Sequence, residues 1–117
     1  MVVATKAEKM KVYYGPGPVG APQGTSFIIV NVTMTNGDIL YGFPISGKNF
    51  YIVDGNNIHY QAQPTPFLFP GAFPYSGETL LPGQSRGGKI VFTVPDVASE
   101  LDIRIFLNGQ WVAWVLP

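Results

Sequence analysis

GTSFIIVNVTMTN, residues Gly24 to Asn36, is the stretch whose reading decides the fold. Ile28, Val30, Val32 and Met34 recur at every second position, and between them Ile29, Asn31, Thr33 and Thr35 become steadily more polar. That period of two predicts a strand with one face buried and the other mostly in water. Val, Ile and Thr are stiff at χ1 and suit a pleated surface, so local preference agrees with the pattern. A helix would scatter the same apolar residues around its circumference. Asn36-Gly37-Asp38 then supplies turn chemistry at the end of the run.

Strands are read outward from this one in both directions. Upstream, Lys9 to Tyr13 alternates and is expected to form a first, edge strand whose lysines blunt its open side. Gly15 to Pro22 is dense in Gly and Pro and reads as a loop. Downstream, Ile39 to Ile45 reads as a short strand that Pro44 confines to an edge or an end. Lys48 to Val53 and Ile58 to Tyr60 read as hairpin arms around the turn Asp54-Gly55-Asn56-Asn57. Gln63 to Gly83 breaks the pattern with Pro64, Pro66, Pro70, Pro74 and Pro82, interleaved with aromatics. A loop this long is usually functional or anchored by its own side chains. Alternation returns at Gly88 to Val94 and at Leu101 to Leu107. Asn108-Gly109 is a strong hairpin signal before the apolar closing strand Trp111 to Leu116. Short strands, frequent turns and no helical period predict an all-β fold, an antiparallel two-sheet sandwich of about seven or eight strands.

Composition narrows the function classes. The 117 residues are expected to form a single domain, 1–117, with 1–23 as an N-terminal edge strand and Gly/Pro-rich loop. Seven Lys plus Arg balance seven Asp plus Glu, so there is no clustered basic footprint of the kind nucleic acid requires. Charged residues are only 12 %, with 14 Gly and 11 Pro, which suits an extracytoplasmic β protein rich in turns. There is no Cys, hence no disulfide and no thiolate chemistry. No segment approaches the roughly 18 apolar residues of a membrane span, and the N-terminus lacks a signal-peptide core. A cell-surface form is therefore expected to carry its leader or membrane anchor upstream of Met1.

GTSFIIVNVTMTN, then FYIVDGNNIHY, then LLPGQSRGGKIVFTVPD, and last an alternating closing strand, occur in an order that resembles the immunoglobulin-like domains of bacterial and archaeal surface proteins and lipoproteins. The resemblance covers roughly Gly24 to Leu107 and its motifs are structural. It implies an immunoglobulin-like sandwich outside the cytoplasm, with Pro82-Gly83 turning the chain, Gly88 allowing close backbone approach and Phe92 filling the core. Within that group, the low charge and the wealth of Asn and aromatics are similar to soluble domains of archaeal filament proteins, such as archaellum stator components and pilin-like subunits. That narrower resemblance implies an anchoring or stator role, with an N-terminal membrane helix outside these residues.

No reactive constellation accompanies these motifs. His59 is the sole histidine, and no nucleophile elbow stands near a Ser in the sequence. Zinc wants three or four His, Cys or carboxylate ligands. Asp54-Gly55-Asn56-Asn57 begins like a calcium loop, but Thr65 stands where the closing Glu would be needed. The expectation is a non-enzymatic protein with no cofactor and no metal. Asn31-Val32-Thr33 matches a glycosylation sequon, which makes Asn31 a candidate acceptor.

The informative surplus is apolar. Phe67, Leu68, Phe69, Phe73 and Tyr75 in the long loop, with Trp111 and Trp114 in the last strand, exceed what one small core requires. The two tryptophans are three apart, so a strand sends them to opposite faces. Phe27, Ile29 and Phe106 fall on nominally outward faces. Phe27, Ile29, Phe67, Phe69, Phe73, Tyr75, Phe106, Trp111 and Trp114 are thus the candidate interface for a second copy or another surface protein. In the alternative reading, loop 63–83 stacks on a glycan or peptide. The structural reading of the same loop is that it folds back over the sheet and buries its own aromatics.

Overall fold

The computed structural model describes residues 2–10, 12–14, 18–37, 39–63, 72–73, 77–107 and 110–115. In chain order the elements are β1 (Val2–Met10), β2 (Val12–Tyr14), β3 (Pro18–Gly20), β4 (Thr25–Thr35), β5 (Phe43–Ile45), a 3₁₀ turn (Gly47–Asn49), β6 (Phe50–Val53), β7 (His59–Gln61), β8 (Glu78–Leu80), β9 (Ser85–Pro95), β10 (Asp102–Leu107) and β11 (Gln110–Val115). All strand pairs are antiparallel. One sheet has the order β1-β4-β9 and the other β11-β10-β6-β7, with two small pairs, β2-β3 and β5-β8, at their margins. This is the expected antiparallel β-sandwich.

The opening stretch forms β4, the centre of the first sheet. Ser26, Ile28, Val30, Val32 and Met34 are all buried, as the period of two requires. Ile90, Phe92 and Val94 of β9 continue that face, and Phe50, Ile52, Ile103 and Ile105 meet it from the second sheet. Burying each such side chain contributes about 1.5–3 kcal/mol before chain entropy is set against it. On the other face of β4, Phe27 and Ile29 cluster with Val91 and Ala21, whereas Thr33 is exposed and Asn31 and Thr35 half-buried. β2 lies against β4, and the β2-β3 hairpin leads directly into Ala21. The apolar end of this face is the end where Ala21 packs on Phe27 and Ile29, and the face turns polar beyond it.

Several boundaries differ from expectation. The edge strand starts near the N-terminus and runs to Met10, with an extra residue between Ala4 and Lys6 that forms a bulge opposite Val32 and Asn31. The Gly/Pro-rich loop holds a hairpin, because Pro18 sits at a strand's first residue, where its missing N–H is tolerated. The strand expected from Ile39 shrinks to Phe43–Ile45, and Gly47–Asn49 is a 3₁₀ turn instead of the start of β6. The three-residue pairs at the margins bring the described strands to eleven. Asn108-Gly109 lies outside the described residues; on either side of it Leu107 pairs with Gln110.

The long loop does fold back in part. Gln63 N–H donates to Val91 O (2.8 Å) and Phe73 N–H to Lys89 O (2.9 Å), closing the edge of β9 that β4 leaves open. Phe73 is 1 % exposed and its ring meets Phe50 edge-on, with centroids 5.8 Å apart at 79°. The passage is possible because residue 88 is Gly: a Cβ there would stand 2.6 Å from Phe73 N. Gly88→Ala should therefore push residues 72–73 off β9 and lower stability by roughly 1–3 kcal/mol. Hydrogen exchange checks this, with the Phe73 amide losing protection while the Ile29 amide, paired within the first sheet, keeps it.

Candidate functional site

One end of the sandwich carries an exposed apolar tip. Ile39, Leu40 and Tyr41 are 86, 72 and 69 % exposed, and Leu81 is 54 % exposed. They are held by Asn36, whose own side chain is buried. Its amide Nδ2 donates to Tyr41 O (2.9 Å) and to Leu80 O (2.8 Å), which ties the loop after β4 to the end of β8. Its backbone N–H donates to Gln84 O (2.9 Å), and its carbonyl accepts from Gly83 N–H (2.8 Å). Leu81-Pro82-Gly83-Gln84 closes with Gln84 N–H on Leu81 O (3.0 Å), and Gly83 has φ +78°. Pro second and a left-handed Gly third give a type II turn, which presents Leu81 beside the Asn36 anchor. The tip is thus an apolar surface on a base tied down by four hydrogen bonds of Asn36.

The turn at the opposite end is organised by Asp54. Its Oδ1 accepts the N–H groups of Asn56 (2.9 Å) and Ile58 (3.0 Å), and its Oδ2 accepts the Tyr60 hydroxyl (2.9 Å). Asn57 sits at φ +62°, the left-handed geometry that Asn tolerates. The Ile58 N–H, against the opposing effect of burial, holds the Asp54 carboxyl below its ordinary value, helped by Tyr60, Asn56 and the charge of His59. Burial and the neighbouring Asp54 push the Tyr60 phenol above its ordinary value. His59 is exposed; its Nδ1 lies 3.2 Å from Asn57 O and its ring meets Tyr51 edge-on, with centroids 6.1 Å apart. Both Asp54 oxygens are occupied in holding the turn, and the arrangement is structural. Among the described residues no three His, Asp or Glu side chains are grouped to hold a metal ion.

The candidate interface residues separate. Phe27 (4 %), Ile29 (7 %) and Phe73 (1 %) are buried, which corrects their reading as contact residues: the first two lie in the cluster with Ala21 and Val91, the third in the main core. Phe67, Leu68, Phe69 and Tyr75 lie outside the described residues. Phe106 pairs with Trp111 and Ile103 with Trp114, so the two tryptophans fall at register positions of opposite parity. Asn31 is half-buried, with its backbone paired between Lys6 of β1 and Lys89 of β9. Ile39, Leu40, Tyr41 and Leu81 were not singled out by the sequence reading. Ile39 to Tyr41 is strand-like by composition, so the local residue order carries no signal of its exposure.

Fold and site together define an antiparallel β-sandwich with an apolar tip. The chain belongs to the DUF4352 family, described as a domain of unknown function, whose model matches residues 3–111. No curated relative matches it by sequence. Among solved structures it is similar to the yjhA protein of Bacillus subtilis, with TM-score 0.72, 12 % identity, and coverage of 99 % of this chain and 90 % of that one. It is also similar to an uncharacterised β-sandwich protein of Clostridium difficile, with TM-score 0.59, 10 % identity, and coverage of 99 % and 84 %. At these identities the likeness is one of fold.

Asp54 makes a pH prediction with a definite sign. Its folded pKa is depressed, so its contribution is present above the ordinary carboxylate value of 3.8 and is lost as pH falls through the lower folded value. Denaturant melts at stepped pH should show stability dropping below that value. Asp54→Asn should start less stable at neutral pH and show a shallower acid limb.

Proposed function

We propose that this chain is a non-enzymatic, extracytoplasmic β-sandwich that works by assembly, with itself or with another cell-surface protein. In the proposed setting a membrane segment beyond these residues holds it at the surface. The observation that carries the reading is the tip formed by Ile39, Leu40, Tyr41 and Leu81, exposed on a base made rigid by Asn36. Contiguous exposed apolar side chains mark interaction sites, and a preorganised base lowers the entropy lost on binding. The low charge content and the surface-protein motifs support the same setting. A role in an archaeal filament is a narrower form of this proposal; nothing in the two bacterial neighbours supports it, and the assembly reading does not depend on it.

The expected behaviour is concentration-dependent self-association in sedimentation. Leu40→Asp should weaken it at least about tenfold, equivalent to roughly 1.4 kcal/mol. Because Leu40 is exposed, the melting temperature should hardly move. A wild-type chain that sediments as a monomer at every concentration, and whose binding to surface proteins is indifferent to Leu40→Asp, would remove the reading.

A further inference from the structure

The two main sheets end in four edges, and they are guarded unequally. The free edge of β9 is covered by Gln63 and Phe73 through their hydrogen bonds to Val91 O and Lys89 O. β1 carries Lys6, Glu8 and Lys9 and a bulge. β7 is only three residues long. β11, Gln110–Val115, is six residues with no charge and no Pro, and among the described residues it pairs on one side only, with β10. Its own residues supply neither charge, Pro nor bulge, the devices that discourage pairing at an edge.

Which backbone groups face that edge follows from the ladder. Ala62 N–H donates to Phe50 O (3.0 Å), so the Phe50 carbonyl is directed toward the β7 side. Alternation in an antiparallel ladder then directs Tyr51 toward β10, where it pairs with Arg104. The same alternation directs Ile103 and Ile105 toward β11, where they pair with Trp114 and Val112. Trp111, Ala113 and Val115 are left with their N–H and C=O groups directed away from β10. Donors and acceptors at a two-residue spacing are matched by another extended backbone.

We propose that this backbone is a second copy of the chain: β11 pairs antiparallel with β11 of the second copy, across a twofold axis through Ala113, joining two four-stranded sheets into one. The inference rests on the assembly reading above and gives it a second contact, separate from the tip, with another copy of the chain as the partner. Ala113 on the axis sets Trp111 against Val115 of the second copy, so each outward-directed residue meets another. A strand without charge brings no like charges together when paired with itself, and the chain's formal charge is zero. An isologous contact of this kind closes as a dimer and uses up the β11 edge of both copies.

The chain has no cysteine, so single introduced thiols report the register. Ala113→Cys should form a disulfide-linked dimer under mild oxidation, because directly opposed strand residues fall within disulfide reach. Val97→Cys, at a site 93 % exposed, should form far less at the same concentration. In the unmodified protein, raising the concentration should protect the Trp111, Ala113 and Val115 amides from exchange. Ala113→Pro removes one outward donor and should weaken dimerisation at least about tenfold. Should that variant fail to fold, the cross-linking and exchange results decide. Equal cross-linking at positions 113 and 97, or amides 111, 113 and 115 that ignore concentration, overturns the inference. If Leu40→Asp dissolves the assembly and Ala113→Pro does not, assembly stands and the β11 edge falls. If the wild type never associates, both fall.

Discussion

β4 is hydrogen-bonded along both edges, and the face of it running from Ser26 to Met34 is closed off from water along its length. Its register with β9 sets Ile28 opposite Phe92 and Val30 opposite Ile90, so one continuous apolar surface meets Phe50, Ile52, Ile103 and Ile105 from the second sheet. A slip of one residue would turn that surface toward solvent and bring Asn31 and Thr33 inward. Everything else is arranged to keep this pairing in place. The bulge in β1 lies at its edge, and Ser26, buried at the start of β4, donates its hydroxyl to Asp96 just beyond β9.

The second constraint is a close approach. Gly88 lacks the Cβ that would collide with the backbone at Ala72 and Phe73, and the chain uses that space to bring Phe73 across the edge of β9 and into the core. One segment thereby satisfies exposed edge groups of β9 and adds an aromatic ring to the interior. Surplus aromatics in a Pro-rich loop invite a binding interpretation, yet Phe73 shows how a loop can provide cover. The hairpin of β2 and β3 offers a parallel case, leading into the Ala21 that packs on Phe27 and Ile29.

Where the fold leaves apolar atoms in water, it does so at places that are stiffly held. Asn36 spends both hydrogens of its Nδ2 on two carbonyls of neighbouring segments, and the type II turn at Pro82-Gly83 is hydrogen-bonded to the same residue. The opposite turn is equally well tied through Asp54, whose two oxygens accept from Asn56, Ile58 and Tyr60. That end exposes Ile58 and Val97, so the two ends differ in how many apolar side chains gather on one anchor.

Much of the fold was legible because strand periodicity is a local property. Alternation in Ile28–Met34, Ile90–Val94 and Ile103–Ile105 is written in adjacent residues, and the turn signals at Asp54-Gly55 and Pro82-Gly83 act within a few residues. Gly88 was likewise readable as a place of close approach, although not what approached. The site was less legible. Whether Phe27, Ile29 or Phe73 is exposed depends on segments far along the chain that happen to lie over them, and no pattern within a strand encodes its cover. Ile39 to Tyr41 failed in the opposite direction: they are strand-like by composition, yet they precede β5 and stay exposed. The amino-acid order by itself determined which residues alternate and where the chain turns, since those preferences are set by nearest neighbours. Only the tertiary structure decided which apolar faces are covered and which remain open, because burial depends on contacts between residues distant in the chain.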